Sequence, residues 1–204
     1  MLQGAGLALP PQFALRVALP RLEGEDWGVH QLPPGCVLRH AIAADLAAYG
    51  AFCRRTFTET YRASHPPEAL ARHVAGRFGD ADLENELGDP QRTVLAVTHE
   101  GAWVAYALLR SGAAPAGVEG THAVEVERFY VDDDWHGRGI ATPLMDAVLE
   151  AARRRGGDVA WLAVWEQNSR ATRFYTRCGF AGVGRATYQF DGHPESDQVM
   201  AIRL

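Results

Sequence analysis

Two glycines at the start of a predicted helix are the sequence feature whose chemistry is easiest to state. A strand is predicted to end at Val131, and Gly137 and Gly139 separate it from a helix that begins near Ile140. Glycine lets the backbone turn tightly and approach a ligand closely. N–H groups at a helix N-terminus favour an anion such as a pyrophosphate. A plain turn into a surface helix explains these glycines equally well, and neither the Walker nor the full Rossmann glycine pattern is present.

A second stretch places an amide and a phenol at helical spacing. Asn168 precedes a predicted helix over Ser169–Arg177, with Ser169 as its cap. Tyr175 follows Asn168 by seven residues, which is about two helical turns, so both side chains can face one side. A tyrosine in that place can donate a proton to a leaving group. Phe174 is interpreted as a core aromatic residue.

Two carboxylates lie on the strand that leads to the glycines. Glu125 and Glu127 are separated by one residue, so both point to the same face of a strand. A carboxylate held in this way can act as a general base. A solvated carboxylate, or an ion-pair partner of Arg128, is the alternative for each.

The elements that position these residues follow from hydrophobic periodicity and turn residues. The predicted helices are 45–60, 68–78, a short helical turn at 82–87, 140–155 and 169–177. The predicted strands are 36–40, 93–98, 103–110, 121–131, 159–164, 182–190 and 197–203. This order predicts a mixed α/β fold with a central sheet.

The first part of the chain differs from the rest. Five of the eleven prolines lie in residues 1–34, and proline at that density breaks both helices and strand ladders. We predict a Pro-rich N-terminal extension at 1–34, with one short strand at Phe13–Leu19, and a single domain at 35–204.

Composition narrows the class of function. A net charge of −5 disfavours a nucleic-acid binder that relies on phosphate contacts. All twenty basic residues are arginine, which excludes a Schiff base on a lysine of the chain. Cys36, Cys53 and Cys178 are too few and too scattered for a disulfide framework or a metal site. No apolar run reaches the roughly 18 residues of a membrane span. Because the few cysteines suit a reducing compartment, the expected location is the cytoplasm.

Together, the glycine turn and the asparagine–tyrosine helix resemble the GCN5-related N-acetyltransferases. In that family an apolar-aromatic-Val triplet precedes an Arg/Gln-x-x-Gly-x-Gly/Ala turn, and Phe129–Val131 and His136–Ala141 match these two motifs. A later asparagine and a Phe-Tyr-x-x-x-Gly-Phe pattern match Asn168 and Phe174–Phe180. The resemblance covers roughly residues 36–204. It implies the acyl-CoA N-acyltransferase fold, a mostly antiparallel central sheet flanked by helices, with one splayed pair of strands.

The resemblance also implies acetyl-CoA as cosubstrate and a role for each site residue. Tyr175 would protonate the departing thiolate, a backbone N–H near Val131 would stabilise charge on the thioester oxygen, and Glu125 is the first choice for the general base, with Glu127 second. The pyrophosphate would lie on the N–H groups of residues 137–142. The implied cofactor-binding residues are Phe129, Tyr130, Val131, His136, Gly137, Arg138, Gly139, Ile140, Ala141, Thr142, Asn168 and Tyr175.

A looser resemblance is to the bacterial polyamine acetyltransferases of the PaiA-like branch. It is carried by Glu125–Val131, His136–Gly139, Val164–Asn168, Thr56–Tyr61 and the Asp197-x-x-Met200 strand. It implies a small-molecule amine as acceptor and a homodimer. A protein N-terminus, an amino acid or a drug amine as acceptor, and a non-catalytic acyl-CoA sensor, are the alternatives.

One position departs from the family pattern. His136 stands where the family has Arg or Gln. Histidine can still donate a hydrogen bond to a phosphate, or it can be an exposed turn residue.

Overall fold

The computed structural model describes residues 31–204, in which helices cover both faces of one seven-stranded sheet. In chain order the elements are β1 (Cys36–His40), α1 (Leu46–Tyr61), α2 (Pro67–Arg77), α3 (Asp80–Gly88), β2 (Arg92–His99), β3 (Ala102–Ser111), β4 (Ala123–Val131), α4 (Ala141–Arg154), β5 (Val159–Trp165), α5 (Ser169–Arg177), β6 (Ala181–Phe190) and β7 (His193–Arg203). Short 3₁₀ turns at Ala43–Asp45 and Asp133–Trp135 precede α1 and the glycine turn. The predicted strand Phe13–Leu19 lies outside the described residues.

The sheet confirms the predicted mixed α/β architecture. Its strand order is β1-β2-β3-β4-β5-β7-β6. Only β4 and β5 are parallel, and every other neighbouring pair is antiparallel. Because α4 connects the two parallel strands, it crosses from one to the other over a face of the sheet. No helix within residues 31–204 combines the length and apolarity needed to cross a bilayer.

The two parallel strands separate after a short paired stretch. Their pairing ends where Glu125 lies opposite Trp161, so residues 126–131 of β4 and 162–165 of β5 are not paired with each other. β5 continues to pair with β7 over its whole length. This is the splayed strand pair that the resemblance predicted, and it opens a gap in the middle of the sheet.

A β-bulge in β4 changes which way its side chains point. Val126 and Arg128 oppose consecutive residues of β3, so Glu127 is an extra residue in the ladder. A bulge of this kind interrupts the simple alternation of a strand. Val126 and Phe129 accordingly pack in the same hydrophobic cluster although they are three residues apart, while Arg128 points to the opposite face.

Each face of the sheet has its own hydrophobic cluster. The cluster under α4 and α5 includes Leu144, Val148 and Phe180, so α4 packs on the sheet through an apolar face. The cluster under α1, α2 and α3 is rich in aromatic residues, and Tyr49 and Tyr106 meet edge to face with ring centroids 5.5 Å apart. The gap between β4 and β5 is therefore bordered by two separately packed layers.

A buried ion pair joins α3 to β4 on the aromatic side. The guanidinium of Arg128 donates to both carboxylate oxygens of Glu86 at 2.9 and 2.7 Å. Their side chains are only 5% and 1% exposed, and the Tyr49 hydroxyl donates to the same carboxylate at 2.8 Å. Buried charges are tolerated only when paired and hydrogen-bonded in this way, so the pair holds Arg128 next to the bulge.

Candidate active site

A cavity of about 470 Å³ occupies the gap between β4 and β5. Its size is typical of a small-molecule site. Side chains from α1 and α2 line it on one face of the sheet, and α5 and the glycine turn line it on the other. The predicted site residues that line it are Glu125, Glu127, Phe129, Tyr130, Val131, His136, Gly137, Ala141, Asn168 and Tyr175.

The glycine turn lies at one end of this cavity. Gly137 and Gly139 have φ angles of +74° and +82°, a backbone region in which side chains other than glycine are strained. A Cβ on Gly137 would meet no atom within 4 Å, so the space over this backbone is open. α4 starts at Ala141 with no side-chain cap from Ile140 and no acidic residue in its first turn. Its first N–H groups therefore suit an anion such as a pyrophosphate.

Four predicted cofactor residues do not line the cavity: Arg138, Gly139, Ile140 and Thr142. The side chain of Ile140 is 1% exposed and belongs to the core under α4. The guanidinium of Arg138 lies over the ring of Trp135, 5.4 Å from its centroid. A contact from Ile140 to a phosphate would therefore have to come from its backbone N–H.

His136 borders the cavity next to an arginine that sequence analysis missed. Nη1 of Arg170 lies 2.8 Å from Nδ1 of His136, and a carboxylate oxygen of Asp133 lies 3.2 Å from the same nitrogen. A guanidinium only donates, so the contact with Arg170 requires Nδ1 to accept, whereas the acceptor-only carboxylate of Asp133 favours a proton on the same nitrogen. Arg170 lies in the first turn of α5, where a cation is unfavourable for the helix dipole, and that signal could have marked it.

Tyr175 reaches the cavity from the middle of α5. It is 8% exposed, and its ring meets Phe129 of β4 at 6.2 Å in an edge-on contact. Within residues 31–204 its hydroxyl has no hydrogen-bond partner. Burial, with smaller contributions from Tyr61 and Cys178, raises the pKa of this hydroxyl above its usual range. Tyr175 is therefore protonated at neutral pH, as a proton donor must be.

Asn168 is the cap of α5, and the predicted cap Ser169 is wrong. Oδ1 of Asn168 accepts the backbone N–H of Ala171 at 3.1 Å. Asparagine and serine cap helices about equally well, so residue type did not decide between them, and the predicted helix bounds Ser169–Arg177 are those observed. The oxygen of Asn168 is thus committed to the helix, and its NH₂ group is the part that can donate to a ligand.

Glu125 faces the cavity in an ion pair. Arg110 donates to one of its carboxylate oxygens from Nη2 at 2.5 Å and from Nε at 3.2 Å. Burial raises the pKa of Glu125, although the hydrogen bond and charge of Arg110 oppose the rise. A raised pKa brings a carboxylate closer to the range in which it accepts a proton from an amine near neutral pH.

Glu127 is held more firmly in its charged form. Arg77 of α2 donates to it at 2.7 Å. Burial would raise the pKa of Glu127, but the hydrogen bond from Arg77 and the charges of Arg128 and Arg92 outweigh burial, so the pKa is lowered. The ion pair with Arg128 that sequence analysis considered for these carboxylates does not form, because the bulge directs Arg128 towards Glu86.

Two carboxylates in the cavity, Glu195 and Asp197, were not predicted as site residues. Asp197 of β7 is 9% exposed and lines the cavity across the gap from β4. Aromatic side chains line the same cavity, among them Tyr61, Trp165 and Phe190, and Trp165 lies opposite Asp197 in the strand ladder. Its sequence signal is an acidic residue at the head of an apolar strand.

Comparison with known proteins agrees with this geometry. Residues 51–180 match the family model for the Acetyltransferase (GNAT) family. An uncharacterised N-acetyltransferase of Mycobacterium tuberculosis is 35% identical over 162 residues, which are 79% of this chain and 97% of that protein. Streptothricin acetyltransferase of Streptomyces lavendulae is 32% identical over 116 residues, 56% of this chain and 58% of that protein.

Among solved structures, the PaiA N-acetyltransferase of Thermoplasma acidophilum in complex with coenzyme A has the same fold. The TM-score is 0.65 at 18% identity, over 83% of this chain and 99% of that chain. The family match and the mycobacterial relative together establish that this chain belongs to the GNAT family and is an acetyl-CoA-dependent N-acetyltransferase.

Proposed function

We propose that this enzyme acetylates a primary amine of a small cationic acceptor, with a polyamine as the first choice. The observation that supports this most is the composition of the cavity on the side of α1 and α2. There the aromatic rings of Tyr61, Trp165 and Phe190 stand beside the carboxylates of Glu195 and Asp197. Carboxylates and aromatic faces are the groups with which proteins bind ammonium ions.

The cosubstrate would be held by the other side of the cavity. Acetyl-CoA supplies the acetyl group as a thioester. The first N–H groups of α4, with His136 and Arg170 beside them, would bind its pyrophosphate. The edge of β4 at Phe129–Val131, which is not paired with β5, would hydrogen-bond the pantetheine arm as a neighbouring strand does. The NH₂ group of Asn168 would add a donor there.

Proton transfers are assigned to three side chains. Glu125 would take a proton from the acceptor ammonium, directly or through water, and Glu127 is the second choice because its pKa is lowered. Tyr175 would give its proton to the departing thiolate. A backbone N–H near Val131 would stabilise the negative charge that develops on the thioester oxygen.

The relative from Streptomyces lavendulae supports a second acceptor, streptothricin itself. That protein is a streptothricin acetyltransferase with 32% identity over the matched region. The cationic amine remains the reacting group in this alternative. Streptothricin therefore belongs in the same set of tested amines.

The experiment is a thiol-release assay with acetyl-CoA and a panel of amines: spermidine, spermine, amino acids, aminoglycosides, streptothricin and short peptides. We expect release with the polyamines. Release only with another amine would replace the acceptor and keep the reaction. Coenzyme A binding without release by any amine would favour a non-catalytic acyl-CoA sensor. The homodimer implied by the resemblance stays a prediction, which sedimentation equilibrium would test.

A further inference from the structure

We propose that Asp197 and the aromatic side chains around it form a subsite for a second ammonium group of the acceptor, remote from the amine that is acetylated. The proposal rests on the proposed function and sharpens it, because it requires an acceptor with two cationic nitrogens. Three features of the structure carry it: a carboxylate without a partner, the rings beside it, and its distance from Glu125.

Asp197 is the cavity carboxylate that lacks a partner. Glu125 and Glu127 are paired with arginines, and Glu195 lies 2.7 Å from a ring nitrogen of His65. Asp197 is 9% exposed and, among residues 31–204, has neither a hydrogen bond nor an ion pair from its side chain. A buried carboxylate without a partner costs free energy. A cation brought by the ligand would remove that cost.

The surroundings of Asp197 suit an ammonium ion. Tyr61 lies close to Trp165 and to Phe190, with ring centroids 5.9 and 6.3 Å away. All three rings line the cavity together with Asp197. Faces of such rings attract cations, most strongly where water is excluded.

The charged groups facing Asp197 make this end of the cavity negative. Burial first, then the charges of Glu195 on its own strand and Glu166 after β5, raise the pKa of Asp197 to about 6. The charge of Asp197 in turn contributes to the raised pKa of Tyr61 on α1 and of Tyr188 on β6. Asp197 is therefore mostly ionised at neutral pH, and an ammonium ion would relieve the repulsion around it.

The strand register separates this subsite from the proposed base. Glu125 lies opposite Trp161 of β5, and Asp197 lies opposite Trp165 of the same strand on its other side. Four residues of strand span about 13 Å, and two strand spacings add about 10 Å sideways, so the two Cα atoms are roughly 16 Å apart. One ammonium group cannot contact both carboxylates. A linear diamine or triamine, with nitrogens separated by a flexible chain, can approach both.

The first test compares acceptors with one and two charges in three proteins. The proteins are wild type, Asp197→Asn and the control Glu166→Gln. Glu166 is a neighbouring carboxylate that pairs with Arg185 and does not line this cavity. We measure KM and kcat for acetylation of spermidine and of butylamine.

We expect Asp197→Asn to raise KM for spermidine about tenfold or more, because one charge-assisted contact is lost. The KM and kcat of Asp197→Asn for butylamine should stay within about twofold of wild type. The same holds for the KM and kcat of Glu166→Gln with either amine. An equal loss for butylamine, or a fall in kcat with KM unchanged, would overturn the subsite, since Asp197 would then act on the reacting amine or on the fold.

A second measurement does not depend on turnover. Isothermal titration of spermidine into the protein saturated with coenzyme A should show binding that is about tenfold weaker in Asp197→Asn. Such binding without acetylation of any amine would reject the proposed function and keep the subsite. If Asp197→Asn acetylates spermidine as wild type does, the subsite is rejected and the proposed function is kept. If the wild-type protein does not bind spermidine, the subsite is also rejected.

Discussion

At the scale of single residues, the hydroxyl of Tyr175 is expected to matter for catalysis alone. Tyr175→Phe removes one oxygen that has no hydrogen-bond partner among residues 31–204, so the fold loses no contact. Without the proton donor, kcat should fall about 100-fold. The measurements are thiol release for kcat and calorimetry for coenzyme A affinity. Unchanged turnover would mean that another group protonates the thiolate, and would reopen the acyl-CoA sensor as a function.

Asp197 makes a prediction about stability with a defined sign. Its pKa is about 6 in the folded protein, against about 3.9 in an unfolded chain. The folded state therefore binds more protons between these values, so Asp197 lowers the free energy of unfolding as pH rises from about 4 to 6. We expect Asp197→Asn to be more stable than wild type at pH 7, by on the order of 1 kcal/mol. The gain should disappear below about pH 4.

Urea denaturation of both proteins at pH 4 and pH 7 measures this difference. A less stable Asp197→Asn protein at pH 7 would show that the carboxylate has a stabilising contact in solution. The expected result has a functional meaning, because a residue whose removal stabilises the fold is retained for another reason.

At the scale of elements, the role of Gly137 in the turn before α4 can be tested by comparison with Gly101, a glycine with a similar backbone conformation. Gly137 and Gly101 have φ angles of +74° and +83°, and a Cβ at either would meet no atom within 4 Å. Changing either to alanine should cost about 1 kcal/mol of stability from backbone strain alone. Gly137 lines the cavity and Gly101 does not. Only Gly137→Ala should weaken coenzyme A binding, by about tenfold, as measured by calorimetry; equal affinities would place the pyrophosphate elsewhere.

The ion pair between α3 and β4 gives a second prediction for elements. Glu86→Gln leaves the guanidinium of Arg128 buried without its counter-charge, and breaking a pair of this kind costs about 3–5 kcal/mol. The control is Glu150→Gln. The side chain of Glu150 is 36% exposed and pairs with Arg153 and Arg154, so this change should lower the free energy of unfolding by less than about 1 kcal/mol. Denaturant unfolding measures both. Similar losses would mean that water reaches Arg128 in solution.

Helices and strands were predicted well because the sequence patterns that indicate them are local. The apolar face of α4 and the Gly156 that ends it lie within one stretch of chain, and the predicted 140–155 differs from Ala141–Arg154 by one residue at each end. The helical turn predicted at 82–87 is a full helix, Asp80–Gly88. Its polar face weakens the periodic signal on which the prediction depended.

What the sequence could not show depends on contacts between distant elements. The bulge at Glu127 exists only in the register between β3 and β4. The strand predicted to start at Asp197 starts at His193 instead, because its pairing with β6 extends the ladder. The burial of Asp197 beside Tyr61 requires α1, more than a hundred residues away in the chain. The motifs therefore predicted the cofactor half, and the residues of the proposed acceptor half came together only in three dimensions.

At the scale of the whole molecule, the cavity joins two separately packed layers. Tyr175 belongs to the cluster under α4 and α5, whereas Tyr130 and Phe190 belong to the cluster under α1, α2 and α3. The gap between β4 and β5 is the place where the two layers meet. A cosubstrate bound on one side and an acceptor bound on the other would thus contact different parts of the core.

This arrangement predicts that coenzyme A stabilises the protein independently of the acceptor subsite. At a concentration 100 times its Kd, coenzyme A should stabilise the folded state by about 2.7 kcal/mol, which raises Tm by about 5–10 °C for a domain of this size. Asp197→Asn should show the full rise, because Asp197 lies on the acceptor side. Gly137→Ala should show a smaller rise at the same concentration, since its affinity is lower. Thermal unfolding with and without coenzyme A measures these shifts, and a reduced rise in Asp197→Asn would show that the two sides of the cavity are coupled.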